Sequence, residues 1–411
     1  MYTKIYNLTF INDIINDSNF NNKFQKKEWD INNINYSFNV KYYILKYIRS
    51  LLNVDNYHDI GLLRSIVLKD NKIICFSPVK SLNYEYFISY YNANTCIAEE
   101  YVEGTMINLF YDYELNNWQI STKSSVGGNV KFLKNQKNFS DLFNDICNEL
   151  NIDLNYFSRD YCYSFVMQHP DNQFVMSISV KKLYLIAIYQ IDSINYIVKE
   201  IPKTEYSNLN LPNNLSYPFA HYFDSYENLL NYYASVNTPI NIMGIVIKNV
   251  NGDRTKIRNP NYNYVKNLKG NNTKLQYHYL ELYKNNKINE YLQYFPNKIQ
   301  EFNCYKKILY DYTETLYLNY ISCFIKKEKL LHEFPFQYKN HMYLLHQEYI
   351  KNKSENSDSK FFINKKFIIN YIKNLETPRL MFSLNYHLKN INNNNKNNDI
   401  ILDDVNENII D

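Results

Sequence analysis

Glu100-Tyr101-Val102-Glu103-Gly104-Thr105 leads straight into a β-rich run over 105–111. A second run, Trp118-Gln119-Ile120-Ser121-Thr122-Lys123-Ser124-Ser125, follows at once. Outward from this pair, short β-rich runs recur at 64–68, 72–76, 161–167, 173–178, 183–190 and 240–248. Turn signals such as Lys69-Asp70-Asn71-Lys72 and Asn251-Gly252-Asp253 bound them. Helical spacing interrupts at 139–150 and 226–234. The pattern predicts an α+β fold with mainly antiparallel sheets.

Both ends differ from this middle. The segment 41–52 has helical apolar spacing, so residues 1–59 read as a polar, partly helical lead-in packed on the next domain. After Gly270 the runs 275–295, 302–327, 342–351 and 361–375 all carry helical spacing, which predicts a separate helical domain over 271–387. Within it, 351–360 reads as a polar loop. Residues 388–411 are low in complexity and end acidic, the composition of a disordered tail.

Composition excludes more than it assigns. The chain has 411 residues, 45% of them hydrophobic, enough for a sizeable core. It holds 43 Tyr but only 7 Gly and 10 Pro, with Asn, Lys, Ile and Asp abundant. All these favoured residues have A/T-rich codons, so the bias reads as genome composition rather than a binding code. The net charge of +4 is too near balance to argue for nucleic acid by itself. Six scattered Cys with no C-x-x-C pair read as free thiols of a reducing compartment. No leader pattern and no apolar stretch of about 20 residues is visible, so a soluble, cytoplasmic protein with no membrane partner is expected. His332, His341 and His346 make no zinc pattern, and no metal ligands are assigned.

Six segments carry a family resemblance, in order. They are Arg64 to Lys80 (RSIVLKDNKIICFSPVK), Glu100 to Thr105 (EYVEGT) and Trp118 to Ser125 (WQISTKSS). Then come Ser164 to Asn172 (SFVMQHPDN) with Leu183 to Ala187 (LYLIA), Ile242 to Ile247 (IMGIVI) and Thr255 to Tyr262 (TKIRNPNY). Together they resemble the covalent nucleotidyltransferase superfamily, most closely RNA ligase 1 of the phage tRNA-repair type. The resemblance covers about half the chain. It implies a nucleotidyltransferase domain over 60–270, followed by the helical domain. It also implies use of ATP and Mg2+, and RNA as partner. The whole chain is similar to uncharacterised proteins of large A/T-rich DNA viruses, which adds a viral factory or virion as a location.

Such a ligase forms a lysine–AMP bond, and that lysine falls on Tyr101. A phenol with a pKa near 10 is a poor nucleophile at neutral pH. The family's nearby aspartate falls on Glu103, and its glycine is kept as Gly104. Two further family carboxylates fall on Val166 and Met243. The cationic side is retained: Arg64, Lys123, Lys256 and Arg258 stand where relatives contact phosphate. Lys256 and Arg258 are two apart on one strand and therefore share a face. Lys80 and Lys123 are the candidates for a relocated amine. Lys266, Lys269 and Lys274, with Tyr277, Tyr279 and Tyr283 beyond them, are a candidate RNA-contacting cluster.

Three functions are therefore open. One is a degenerate ligase-like protein that binds RNA ends or nucleotide. The second is an active ligase with a rebuilt site, for example one sealing RNA that already carries 5′-AMP. The third is an interaction protein of a virion or transcription complex whose old pocket is filled by Tyr101, Val166 and Met243.

Overall fold

The stretch Tyr161–Gln168 sends Tyr163, Phe165 and Met167 into one apolar cluster and turns Cys162 and Val166 to the other side. That is the two-residue period of a strand. The computed structural model describes residues 3–16, 24–33, 38–53, 56–131, 137–355 and 361–388, and in it this strand is β9. Beside it run β7 (Thr105–Asp112) and β8 (Asn117–Ser121) on one side. On the other side lie β10 (Lys182–Asp192), β11 (Ile197–Glu200) and β1 (Ile5–Asn7). The order in this six-stranded sheet is β1-β11-β10-β9-β7-β8, and every pairing is antiparallel.

A second sheet has the order β12-β6-β13-β14: Ala220–Tyr222, Cys96–Glu100, Gly244–Asn249 and Arg254–Arg258. A third runs β2-β3-β4-β5: Phe24–Asn33, Phe38–Tyr47, Ile66–Lys69 and Lys72–Cys75. These pairings too are antiparallel. The helix Phe139–Glu149 covers one face of the six-stranded sheet, its Phe139, Leu142, Phe143 and Ile146 packing on Ile107, Leu109 and Phe165. Its start is fixed by a capping box between Asn138 and Asp141. The helices Tyr84–Tyr90 and Tyr226–Tyr233 cover one face of the second sheet, against Ala98, Ile245 and Ile247.

Three expectations before residue 250 fail or shift. The segment 41–52 is not a helix: it is β3 as far as Tyr47, and Ile44 pairs with Val67 of β4. Ile44 and Leu45 are consecutive and both fully buried. A strand buried on both faces loses the alternation that would mark it, and its spacing then mimics a helix. The run 173–178 is a loop. The strand expected over 240–248 starts only at Gly244.

The chain divides into two compact units, one ending at Asn267 and the other beginning at Leu268. The second is helical. Its principal helices are Leu275–Lys284, Ile288–Tyr294, Ile299–Tyr320, Phe336–Glu355, Lys365–Asn374 and Thr377–Leu384. They enclose a core of Tyr279, Phe302, Leu316, Met342, Leu345 and Ile368. Residues 351–355, expected as loop, complete the long helix, and 356–360 lie outside the described residues. So do residues 389–411, the expected tail. No helix among the described residues is long and apolar enough to cross a membrane.

Candidate anion site around Tyr101

On β14, Thr255 and Ile257 face the apolar side, where Ile257 packs in the cluster under the helices. Alternation therefore puts Arg254, Lys256 and Arg258 together on the opposite face. Neighbouring β13 adds Lys248 there, and β6 adds Glu99 and leads to Tyr101. The pairing of β13 with β14 is close at its end. A Cβ on Gly244, whose φ is +139°, would lie 2.0 Å from the carbonyl oxygen of Ile257 and 2.8 Å from Cα of Arg258. Only glycine lets the Arg258 backbone approach that far.

A cavity of about 130 Å3 opens at Tyr101. Its walls include Arg64, Glu103, Gly104, Lys123, Val166, Met243 and Arg258. Lys256 lines the adjoining cavity, which shares Arg64, Tyr101 and Val166 with the first. All the residues singled out from sequence at this site thus come together. Lys266 also lines the first cavity, so it belongs with the pocket. Lys269 instead lies with its ammonium 5.6 Å from the ring centroid of Phe295, within the helical unit.

Tyr101 is held by cations. Arg258 donates to its hydroxyl from Nη2 at 3.1 Å and from Nε at 3.4 Å. The Lys256 ammonium lies 5.7 Å from the ring centroid, within cation–π range. Among the described residues no His, Asp or Glu is hydrogen-bonded to the phenol, so no base stands ready to take its proton.

Glu103 is fully engaged. It is 1% exposed, and its carboxylate accepts from the backbone N–H of Phe174, Val175 and Met176 at 3.1–3.3 Å. Three successive N–H groups aimed at one anion cannot also serve a sheet ladder, which is why 173–178 is a loop. Burial first, and the Glu103 charge second, push the Tyr262 phenol well above its ordinary range. Gly104 serves the same packing. A Cβ there would meet the carbonyl oxygen of Met167 at 2.4 Å and Cγ1 of Val166 at 2.7 Å, so the absent side chain is required by β9.

Lys123 is presented by a turn in which the Thr122 hydroxyl accepts from the N–H groups of Ser124 and Ser125 at 3.3 and 3.1 Å. The guanidinium of Arg64 donates to the carbonyl of Pro78 at 3.2 Å. Ser77, 1% exposed, lines the cavity, and its hydroxyl has no hydrogen-bond partner among the described residues. Leaving such a group unsatisfied costs about 1–3 kcal/mol, which a polar occupant of the cavity would recover. On the other wall Val102, Val166 and Tyr184 form a small apolar cluster with Met106 and Ile186.

The walls of the first cavity supply a single carboxylate, Glu103. Among the described residues no group of three or more His, Cys, Asp or Glu is placed to hold one. Val166 and Met243 offer no oxygen, and Glu103 already serves three N–H groups. What the walls favour is an anion: four cationic side chains, Arg64, Lys123, Arg258 and Lys266, against one carboxylate.

Two residues before Tyr101 is a second cluster that no sequence signal announced. Glu99, 7% exposed, pairs with Lys203 at 2.9 Å and Lys248 at 3.0 Å. Burial raises the Glu99 pKa, but the two ammonium groups outweigh it and hold the carboxyl down at about 2. The pair joins a distant loop to the sheet, a long-range partnership that spacing cannot reveal.

No family model and no curated protein matches this chain. Among solved structures it is similar over part of its length to the Naegleria gruberi RNA ligase. A variant of that enzyme with ATP and Mn shares 14% identity at a TM-score of 0.32, over 46% of this chain and 57% of that one. Another variant, with AMP and Mn, shares 12% at 0.32, over 51% and 67%. The enzyme with PPi shares 11% at 0.32, over 51% and 66%. A likeness this slight and partial carries no argument about chemistry.

Proposed function

We propose that this protein is a degenerate RNA-ligase-like protein of the nucleotidyltransferase type. It binds phosphorylated RNA ends or a nucleotide without forming a covalent lysine–nucleotide bond. The observation that carries the reading is the Tyr101 cavity, where four cationic side chains face one carboxylate. Arg258 would supply a bidentate guanidinium to a phosphate, with Arg64, Lys123 and Lys256 as further cations. Tyr101 would stack or fill. The affiliation to the phage tRNA-repair type rests on the six ordered motifs. ATP is the nucleotide the resemblance implies.

The test is binding without labelling. A 5′-phosphorylated RNA should be retained on filters and should raise the melting temperature more than its 5′-hydroxyl counterpart. Intact mass after incubation with ATP or GTP and Mg2+ or Mn2+ should be unchanged. No binding of either RNA or nucleotide by folded protein would end the proposal.

A second reading has its own support. The cavity of about 130 Å3 is smaller than the roughly 300 Å3 usual for a small-molecule site, and the apolar cluster around Val166 narrows it. A filled pocket suits an interaction protein. Lys123→Ala with Lys256→Ala separates the two: unchanged RNA binding favours the interaction protein.

A further inference from the structure

A third cavity, of about 540 Å3, lies beyond the second. It shares Ser81 and Lys256 with the second cavity, which in turn shares Arg64 and Tyr101 with the first. The three cavities thus stand in series, with Tyr101 walling the first two and Lys256 the last two. The third is lined by Tyr57, Tyr84 and Tyr86, with two ammonium groups, Lys80 and Lys256, and one carboxylate, Glu85.

Its aromatic walls are fixed to the strand that carries the cations. The N–H of Leu82 donates to the carbonyl of Arg254 at 2.8 Å, and the Thr255 hydroxyl donates to the carbonyl of Leu82 at 2.9 Å. Immediately after, the Asn83 side chain accepts from the Tyr86 N–H at 3.1 Å and caps the helix bearing Tyr84 and Tyr86. Tyr57 comes from a separate short helix, and its hydroxyl is buried with no partner among the described residues.

We propose that this third cavity is a nucleobase-stacking subsite for a single-stranded nucleic acid whose terminal phosphate occupies the first cavity. The inference rests on the proposed function and narrows it from nucleotide or RNA to a strand. Phenol rings beside ammonium groups are what single-stranded nucleic acid uses: bases stack on rings, and cations follow the backbone. The volume lies within the range of ligand sites, which the first cavity's does not. The Tyr57 hydroxyl is a donor for a base edge. Charge and shape divide accordingly, with the phosphate at Arg258 and the base among the tyrosines.

The test uses a short single-stranded RNA with a 5′-phosphate and 2-aminopurine as its first or second base. Binding to the full chain should quench the fluorescence. In Tyr84→Leu with Tyr86→Ala, quenching should be lost and affinity should fall about tenfold. Displacement by inorganic pyrophosphate, which needs only the first cavity, should keep its wild-type inhibition constant. Leucine keeps the apolar packing of Tyr84 on the helix Tyr226–Tyr233, so the variant should fold. Unquenched 2-aminopurine in the wild-type complex, or full affinity in the double variant, would overturn the subsite and leave the anion site standing. Loss of pyrophosphate displacement in the double variant would also overturn it, since the tyrosines would then be shaping the first cavity. Failure of folded wild-type protein to bind either probe would remove the anion site itself.

Discussion

Glu99 lies in the inner strand β6 and Tyr101 just past its end, two residues on, yet the charges around them are arranged in opposite ways. Around Glu99 a buried carboxylate holds two lysines, and the cluster is complete as it stands. Around Tyr101 four cationic side chains and one carboxylate line a cavity, and that carboxylate is committed to backbone N–H groups. The first arrangement binds the protein to itself. On the proposed reading, the second takes its negative charge from a ligand. Similar residue types therefore have different consequences, and the difference lies in where the negative charge comes from.

The largest expected effect breaks the anchor of the Tyr101 side. Glu103→Ala would take the shared acceptor from the half-buried N–H groups of Phe174, Val175 and Met176 and leave a cavity where the 1%-exposed carboxylate sits. It should cost about 3–5 kcal/mol, read as a shift of the denaturant midpoint at unchanged slope. A loss below about 1 kcal/mol would mean that the 173–178 loop finds other partners and that Glu103 is available for chemistry.

Next is the Glu99 cluster. Glu99→Gln should cost about 3 kcal/mol at pH 7. The folded pKa of Glu99 lies below its ordinary value, 4.5 falling to about 2. Its contribution is therefore complete above about pH 4.5 and is lost as pH falls towards 2. Wild type and variant should converge in stability across that window. A constant gap down to pH 2 would show that packing, not the charge, is what the substitution removes.

Much of the Tyr101 side was legible in sequence because it is local. Lys256 and Arg258 share a face by strand period, and the run from Glu100 to Thr105 is continuous. The Glu99 cluster was illegible because its lysines come from a loop and a neighbouring strand. The segment 41–52 misled because burial of both Ile44 and Leu45 erased the strand period. The tyrosines of the third cavity were hidden by composition: with 43 in the chain, no single one stands out until the fold puts three together.

Arg258→Ala sharpens the comparison from the other side. It should leave folding stability within about 1 kcal/mol, since Arg258 bonds a phenol rather than a buried anion. It should weaken binding of 5′-phosphorylated RNA roughly 10- to 100-fold and flatten the salt dependence of that binding. Wild-type affinity for the phosphorylated end would place the ligand elsewhere.

The smallest expected effect is the one a ligase resemblance would make largest. Tyr101→Lys places an amine where the ligases this sequence resembles have their nucleophile. Arg258 and Lys256 stand beside that position, and nearby cations lower an amine's pKa, so the new lysine should be reactive enough. Yet intact mass after incubation with ATP and Mg2+ or Mn2+ should show no added nucleoside monophosphate. Transfer of a phosphoryl group needs charge stabilisation at the leaving phosphates, and Val166 and Met243 supply no oxygen with which to place a metal there. On the degenerate-ligase reading, the amine is the easier half of the missing chemistry, and the carboxylates are the harder. If the single substitution is labelled, the cations alone suffice for the transfer, and the Tyr101 pocket is one residue from an enzyme rather than three.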